Sequence, residues 1–199
     1  MPFLEPLSDE GVPSDILERF THYKNTRGFT PNSIKTMVRR PNIVRAFMQL
    51  NQAVLYEGTV REELKMLISL ISSQVAGCRY CQAHMANLSK IYEASEEKIS
   101  QVWNYANSEL FDESEKAALD IAYHGAMSPS QAKEQHFEAL SQYFNESEIV
   151  EIVATISLFG FLNRWNDTMA TELEDLPEKV AQSTIKDTYG WDIGKHEQG

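Results

Sequence analysis

The feature that most constrains the fold is a helical repeat of apolar residues along most of the chain. The repeat is clearest in residues 60–76, where apolar side chains recur at spacings of three and four: Leu64, Leu67, Ile68, Ile71 and Val75. No stretch shows the sustained alternation of apolar and polar residues that is typical of a half-buried strand. The sequence therefore predicts an all-α fold, a compact bundle of about eight to ten helices.

Helix boundaries are indicated by capping residues, prolines and glycines. The predicted helices span residues 14–24, 32–39, 41–55, 60–76, 79–92, 95–107, 113–127, 131–143, 145–168 and 177–181. We expect residues 1–181 to form a single helical domain. Residues 182–199 are polar and are predicted to be a frayed C-terminal tail.

A weak internal repeat at an offset of 85 residues relates two of these helices. Glu63 is equivalent to Glu148 in this repeat, and Arg79 is equivalent to Arg164. Two apolar helices with the same buried face account for part of the match. The repeat favours two pseudo-symmetric helical halves.

The chain is strongly acidic, but its charge is unevenly distributed. The net charge is −11, which makes nucleic acid an unfavourable partner because its phosphates would be repelled. Residues 19–56, by contrast, contain seven Lys or Arg and no Asp or Glu. This basic block indicates either a surface for an anionic substrate or a face that meets an acidic face in an oligomer, and the second is the commoner case.

Neither a membrane span nor a signal peptide is indicated by the sequence. No segment approaches ~18 consecutive apolar residues, the length that crosses a bilayer. The first residues lack a basic start followed by a long apolar stretch. We therefore expect a cytoplasmic protein without a membrane partner, in which cysteines stay reduced unless they are redox-active.

The two cysteines of the chain lie together in residues 77–84, Gly-Cys-Arg-Tyr-Cys-Gln-Ala-His. Gly77 interrupts the helical pattern, so Cys78 and Cys81 are predicted in the first turn of a new helix. Free N–H groups at a helix start favour an anion and lower the pKa of a thiol. The cysteines are three residues apart and can close a disulfide, and His84, one turn beyond Cys81, can exchange a proton with it.

Three interpretations of this motif are open from the residues alone. In the first, the pair is a redox dithiol: one sulfur attacks and the other closes the disulfide. In the second, Cys78, Cys81 and His84 bind zinc, which requires a fourth ligand that the scattered remaining histidines do not obviously supply. In the third, the cysteines are inert core residues, which is less expected for a pair at this spacing than for a lone cysteine. We favour the dithiol and predict no metal site.

The cysteine motif after an apolar helix resembles that of the carboxymuconolactone decarboxylase-like superfamily, in particular its alkyl hydroperoxidase D-like branch. Residues 29–32, 41–50 and 158–167 are also similar to this family. The resemblance covers most of residues 5–180. It implies an all-helical fold and homo-oligomers, from dimers and trimers to hexamers.

The resemblance also implies a peroxidase that uses a redox-active disulfide and no cofactor. Cys81 would be oxidised by a hydroperoxide to a sulfenic acid, Cys78 would close the disulfide, and an external dithiol donor would reduce it. His84 would assist proton transfer, although the histidine of hydroperoxidase D falls one residue later. The proton-relay glutamate of hydroperoxidase D falls on Met66 here. Glu62 and Glu63 lie roughly one turn earlier and could replace it, and Glu63 is the residue expected to polarise His84.

A polar cluster at the end of the long predicted helix supplies the other site residues. Asn163, Arg164 and Trp165 are expected either to line a substrate pocket beside the cysteines or to form a buried network. In such a network, Arg164 would pair with Asp167. Tyr80, between the cysteines, is expected to shield the disulfide or to contact a partner subunit.

Thiol-dependent reduction of hydroperoxides is therefore the leading hypothesis, and two alternatives belong to other classes. One is a non-enzymatic oligomer or binding protein whose assembly responds to the disulfide. The other is a lyase or isomerase on the same fold that uses His84 and Arg164 without the cysteines.

Overall fold

The computed structural model describes residues 1–198. The described chain contains α-helices and two short 3₁₀ turns but no strand, which confirms the predicted all-α fold. No described helix combines the length and the apolar character that are needed to cross a bilayer. The helices are α1 (Ser14–Arg27), α2 (Asn32–Met37), α3 (Pro41–Leu55), α4 (Glu62–Ala76), α5 (Arg79–Ile91), α6 (Glu96–Gln101), α7 (Glu113–Gly125), α8 (Glu134–Leu140), α9 (Glu146–Met169), α10 (Asp175–Thr184) and α11 (Lys186–Tyr189).

Helix α4 lies at the centre of the bundle. The apolar repeat predicts one buried face, but every residue from Leu64 to Ser73 is buried. This happens because α5, α7 and α9 all pack against α4. The hydroxyl groups of Ser69, Ser72 and Ser73 donate hydrogen bonds to backbone carbonyls one turn earlier. The helix can therefore be buried without leaving these hydroxyl groups unpaired.

Lys65 is a charged residue on this buried helix, with 1% of its surface exposed. Its Nζ lies 2.9 Å from Oε2 of Glu151 and donates to the carbonyl of Glu57 at 2.6 Å. Glu151 also accepts the backbone N–H groups of Thr59 and Val60. Burial alone would raise the pKa of Glu151, but these hydrogen bonds outweigh burial and lower the pKa. The network ties α4, α9 and the loop before α4 together.

A glycine turn sets the direction of α5. Gly77 ends α4 with φ of +75°, a left-handed conformation that costs little without a side chain. The next helix begins at Arg79, as the sequence predicts, and packs between α4 and α10. The start of α5 is therefore enclosed by neighbouring helices.

The two predicted halves are equivalent only in part. Helices α4 and α9 pack against each other, but α4 ends before Gly77 whereas α9 continues without a break to Met169. Arg79 therefore begins a new helix, while Arg164 lies inside α9. For this reason the repeat does not predict where Arg164 lies relative to the cysteines.

Residues 182–198 are packed against the domain, in contrast to the predicted frayed tail. Residues 190–198, here called the C-terminal strap, follow α11 and contact α5. Trp191 is 3% exposed, and its Nε1 donates to the carbonyl of Arg79 at 3.1 Å. His196 is fully buried. The segment looks polar in sequence, but its large side chains anchor it. Trp191, His196 and Gln198 each form a hydrogen bond with a backbone carbonyl of the domain.

Replacing Trp191 with alanine is expected to lower the free energy of unfolding by about 3–5 kcal/mol, the usual cost of removing a buried aromatic side chain. The measurement is urea unfolding followed by circular dichroism. Tyr143, an aromatic residue that is 48% exposed, offers a matched control: Tyr143→Ala is expected to change stability by about 1 kcal/mol or less. A similarly small loss for Trp191→Ala would show that the strap is frayed.

Candidate active site

The turn between α4 and α5 places both cysteines at the start of α5. Cys78 is the N-cap residue, and Cys81 lies in the first turn. Both thiols are free, and the two residues are 0% and 2% exposed. A reactant therefore reaches these sulfurs through a pocket rather than from the open surface.

The environment of Cys81 opposes ionisation of its thiol. Burial raises the pKa of Cys81 well above its usual range, and the neighbouring Cys78 raises it further. The side-chain amide of Asn166 acts in the other direction, because its Nδ2 donates to the Cys81 sulfur at 3.3 Å. The sequence predicts a lowered pKa at this helix start, and the structure corrects that prediction, because lost solvation outweighs the helix N–H groups. The resting thiol is therefore protonated at neutral pH and needs a base to react.

Alkylation of Cys81 is expected to show this raised pKa directly. In a Cys78→Ser variant, the rate of modification by iodoacetamide should keep rising through about pH 9, since thiolate is the reacting form. Intact-protein mass spectrometry measures the rate, and the urea-unfolded variant supplies a reference near pKa 8.5. A half-maximal rate below about pH 7 in the folded variant would indicate instead the thiolate that a helix start favours.

A carboxylate from a distant part of the chain holds His84. The Nε2 atom of His84 lies 2.6 Å from Oε2 of Glu174, the residue before α10. Tyr80 stacks on the imidazole, with ring centroids 4.2 Å apart, and donates its hydroxyl to Oε1 of Glu174 at 3.1 Å. The backbone N–H of Asn32 also donates to Glu174. An ionised Glu174 thus accepts the proton on Nε2, which leaves Nδ1 of His84 as the basic nitrogen.

Glu63, the predicted proton-relay residue, lies in a separate ion-pair network. Its carboxylate accepts from Arg61 at 3.0 Å and from Lys98 at 2.9 Å. Both cations also bind the buried Glu115, so the network joins α4, α6 and α7. Met66 is fully buried in the core. Glu63, the carboxylate expected to polarise His84, therefore pairs with Arg61 and Lys98 instead.

Sequence reasoning missed Glu174. It lies 90 residues from His84 and follows no spacing rule. The local signal is that Glu174 and Asp175 precede Pro177, and acidic residues are favoured at a helix start. That signal predicts a helix boundary but does not point to a histidine in another helix.

The predicted polar cluster reaches the dithiol only in part. Asn163 and Asn166 are buried, and Asn163 donates to an α4 carbonyl at 3.4 Å while Asn166 contacts the Cys81 sulfur. Arg164 is exposed and lines a separate surface cavity. Trp165 is half-buried and stacks on Phe161.

Helix geometry explains this division of the cluster. Successive residues are about 100° apart around a helix, so Arg164 and Trp165 turn away from the face that carries Asn163 and Asn166. The expected pair between Arg164 and Asp167 is replaced by a contact of Asp167 with Lys195 in the C-terminal strap, at 2.9 Å.

A small cavity beside Cys81, here called the dithiol pocket, brings the site residues together. Its volume is about 50 Å³, and its lining includes Tyr80, Cys81, His84 and Asn166 among mainly apolar side chains. It adjoins a larger vestibule of about 420 Å³. A nucleophile, a histidine with a carboxylate partner and an amide donor therefore share one pocket that suits the reactive end of a small molecule.

Two histidines that are scattered in sequence meet in space, away from the dithiol. His124, His136 and Asp120 have possible ligand atoms within 4.8 Å of one another. However, Nδ1 of His136 accepts the backbone N–H of Lys133 at 2.8 Å, so its Nε2 carries the proton. A nitrogen that carries its proton cannot bind a metal. We interpret this cluster as a packing contact between α7 and α8, in which the rings of His124 and His136 stack with centroids 4.5 Å apart.

Comparison with known proteins places this site in a family. The family model for the carboxymuconolactone decarboxylase family matches residues 41–124, which include the cysteine motif. The chain is 32% identical to the debrominase Bmp8 in its apo form, with a TM-score of 0.84, and the match covers 90% of this chain and 96% of the debrominase. A cysteine-to-alanine variant of Bmp8 in complex with 2,3,4-tribromopyrrole matches at 31% identity.

A solved structure of a different protein supports the fold alone. It is the alkylhydroperoxidase AhpD core of an uncharacterized peroxidase-related protein from Ralstonia eutropha JMP134. This protein is 23% identical, has a TM-score of 0.77, and matches over 91% of this chain and 97% of its own. The family model and the debrominase match together show that this chain belongs to the carboxymuconolactone decarboxylase family.

Proposed function

We propose that this chain is a dithiol-dependent reductase whose substrates are small organic hydroperoxides. The observation that carries the proposal is the shared pocket of Cys81 and the His84–Glu174 pair, with Cys78 beside Cys81. Family membership supports an enzyme on this fold. The proposal needs no metal or organic cofactor, because the two cysteines supply both electrons.

The first half of the proposed reaction oxidises Cys81. Nδ1 of His84 accepts the thiol proton, and the ionised Glu174 stabilises the resulting imidazolium. The thiolate attacks the terminal oxygen of the hydroperoxide, so a sulfur–oxygen bond forms as the oxygen–oxygen bond breaks. The alkoxide leaves with the proton from His84 as an alcohol, and Cys81 is left as a sulfenic acid.

The second half closes the disulfide. The Cys78 sulfur attacks the sulfenic sulfur, and the hydroxyl group leaves as water after it takes the Cys78 proton. One hydroperoxide and one dithiol thus give one alcohol, one water and one disulfide. An external dithiol donor then reduces the disulfide by thiol–disulfide exchange.

A turnover assay with dithiothreitol as the donor and cumene hydroperoxide as the substrate tests this function. We expect the protein to convert the peroxide to cumyl alcohol in the presence of EDTA, since no metal takes part. Peroxide loss and alcohol formation are measured together by chromatography. Peroxide loss no faster than in the protein-free reaction would overturn the proposal.

A second candidate function is reductive dehalogenation, which the 32% identity to a debrominase favours. This reaction would also use the two electrons of the dithiol. A halogenated aromatic compound would exchange one halogen for hydrogen, and the dithiol would become a disulfide as hydrogen halide is released. The mainly apolar lining of the dithiol pocket is compatible with such a compound.

Release of bromide from 2,3,4-tribromopyrrole, measured by ion chromatography under the same conditions, separates the two candidates. Bromide release without peroxide turnover would assign the dithiol to dehalogenation. Peroxide turnover without bromide release would support the hydroperoxidase.

We also propose that the protein forms a homo-oligomer. Helix α9 supports this, because its outer face exposes apolar side chains at helical spacing, including Val150, Val153 and Phe161. Light scattering of oxidised and reduced samples measures the assembly. A size that changes with oxidation, in a protein without turnover, would favour the redox-sensing alternative over the enzyme.

A further inference from the structure

The vestibule in front of the dithiol pocket is basic and aromatic. Its lining contains Arg19, His22 and Arg27 of α1 and the rings of Tyr23, Tyr56 and Tyr92, and it includes no Asp or Glu. The rings of Tyr56 and Tyr92 lie 5.8 Å apart between centroids. In a chain with a net charge of −11, this is a local site of the opposite sign.

The two arginines of the vestibule have no carboxylate partner within residues 1–198. Other cations of the same basic block do: Lys24 pairs with Asp9 at 2.9 Å, and Arg45 pairs with Asp15 at 2.6 Å. The Arg27 guanidinium lies 4.8 Å from the centroid of the Tyr23 ring and donates to the Tyr56 hydroxyl. Both partners are uncharged, so the positive charge is available to a ligand.

The vestibule and the dithiol pocket are adjacent cavities. They share four lining residues: Tyr23, Arg27, Asn51 and Leu88. Asn51 is only 7% exposed, and no described residue hydrogen-bonds to its side-chain amide. Its amide faces the space of the two cavities, where a bound molecule can form a hydrogen bond with it.

We propose that the vestibule binds an anionic group of the substrate, so that the preferred substrate is a small aromatic carboxylate whose reactive end reaches Cys81. Arginine guanidinium groups match a carboxylate in geometry and charge, and the tyrosines supply faces for a flat ring. This inference deepens the proposed function, since it names the substrate class for the same dithiol. It also assigns part of the basic block to substrate binding rather than to an oligomer contact.

Binding of an unreactive pair of probes tests the proposal without any turnover. The probes are 4-isopropylbenzoate and its uncharged counterpart 4-isopropylbenzamide, titrated into the reduced wild-type protein by calorimetry. We expect the acid to bind roughly tenfold more tightly or better, as a charge-assisted contact implies. The preference should shrink as sodium chloride is raised, because salt screens charge attraction.

A double variant, Arg19→Met with Arg27→Met, shows whether these two arginines cause the preference for the acid over the amide. We expect it to bind the acid and the amide within about twofold of each other, since both guanidinium groups that match a carboxylate are removed. Lys24→Met is the matched control: it removes one charge from the same helix outside the vestibule and should keep the preference. Circular dichroism checks that each variant is folded.

Four results would each overturn the proposal. These are equal binding of acid and amide by the wild type, no binding of either probe, a preference that is insensitive to salt, and a preference that survives in the double variant. Turnover of cumene hydroperoxide and of its para-carboxylate separates this inference from the proposed function. If the benzoate binds as expected but neither peroxide is reduced, the anion subsite stands and the hydroperoxidase falls.

Discussion

Replacing Cys81 with serine is expected to lower the rate of hydroperoxide reduction by at least ~10³-fold, because the reacting nucleophile is removed. Serine is close in size and its oxygen can still accept from Asn166, so the packing of α5 should not change. A hydroxyl neither attacks the peroxide oxygen at a useful rate nor forms a disulfide. The measurement is turnover with cumene hydroperoxide and dithiothreitol, with helix content checked by circular dichroism.

Cys78→Ser is the matched control for this variant. It retains the nucleophile, so one equivalent of peroxide should still add one oxygen to Cys81 as a sulfenic acid, but no disulfide should form. The opposite pattern, with oxidation in Cys81→Ser and none in Cys78→Ser, would exchange the two roles. Turnover by Cys81→Ser at the wild-type rate would remove Cys81 from the mechanism.

Replacing Glu174 with glutamine is expected to lower kcat by about 10²–10⁴-fold. The glutamine oxygen can still accept from Asn32, but its amide presents a donor to Nε2 of His84. The imidazole must then carry its proton on Nδ1, so the nitrogen that should receive the Cys81 proton is no longer basic. In the serine–histidine–aspartate triad the equivalent change lowers kcat by about 10⁴ for this reason.

A positioning role for Glu174 has a signature that a purely structural role lacks. The loss of kcat should shrink at high pH, where Cys81 ionises without help from a base, while KM stays close to the wild-type value. Glu172→Gln is a matched control, two residues away in the same segment, and should leave the rate near that of the wild type. A Glu174→Gln rate within about threefold of the wild type would show that His84 acts without this carboxylate.

The placement of the dithiol could be predicted from the sequence because its signals are local. Gly77 marks the helix break, and the apolar repeat before it marks α4. The spacing of Cys78 and Cys81 puts both in one helical turn. Each of these statements depends on residues within a few positions of one another, and the structure shows the helix boundaries where they were predicted.

The partners of the dithiol could not be predicted in the same way, because helix packing brings them in. Glu174 reaches His84 across 90 residues and Asn166 reaches Cys81 across 85 residues. The sequence marks the polar cluster around residue 165 as interesting. Only the packing of α9 on α4 and α5 decides which of its residues turn inward.

Burial also reversed one chemical expectation. From the sequence, the helix start lowers the pKa of the Cys81 thiol; in the structure, the loss of solvent raises it. The same cause explains the C-terminal strap, whose polar residues conceal the buried Trp191 and His196. Local patterns predict which groups are present, but the balance between solvation and hydrogen bonding depends on the whole fold.

The most direct test of a catalytic dithiol is a single-turnover mass measurement on the wild-type protein. Reduced protein is mixed with one equivalent of cumene hydroperoxide, quenched at short times with a thiol-blocking reagent, and weighed intact. We expect the loss of two hydrogens with neither Cys78 nor Cys81 blocked, which is the mass of the disulfide form. If both thiols are still blocked after long exposure to the peroxide, the pair is not a peroxide-reducing dithiol and the proposed function is wrong.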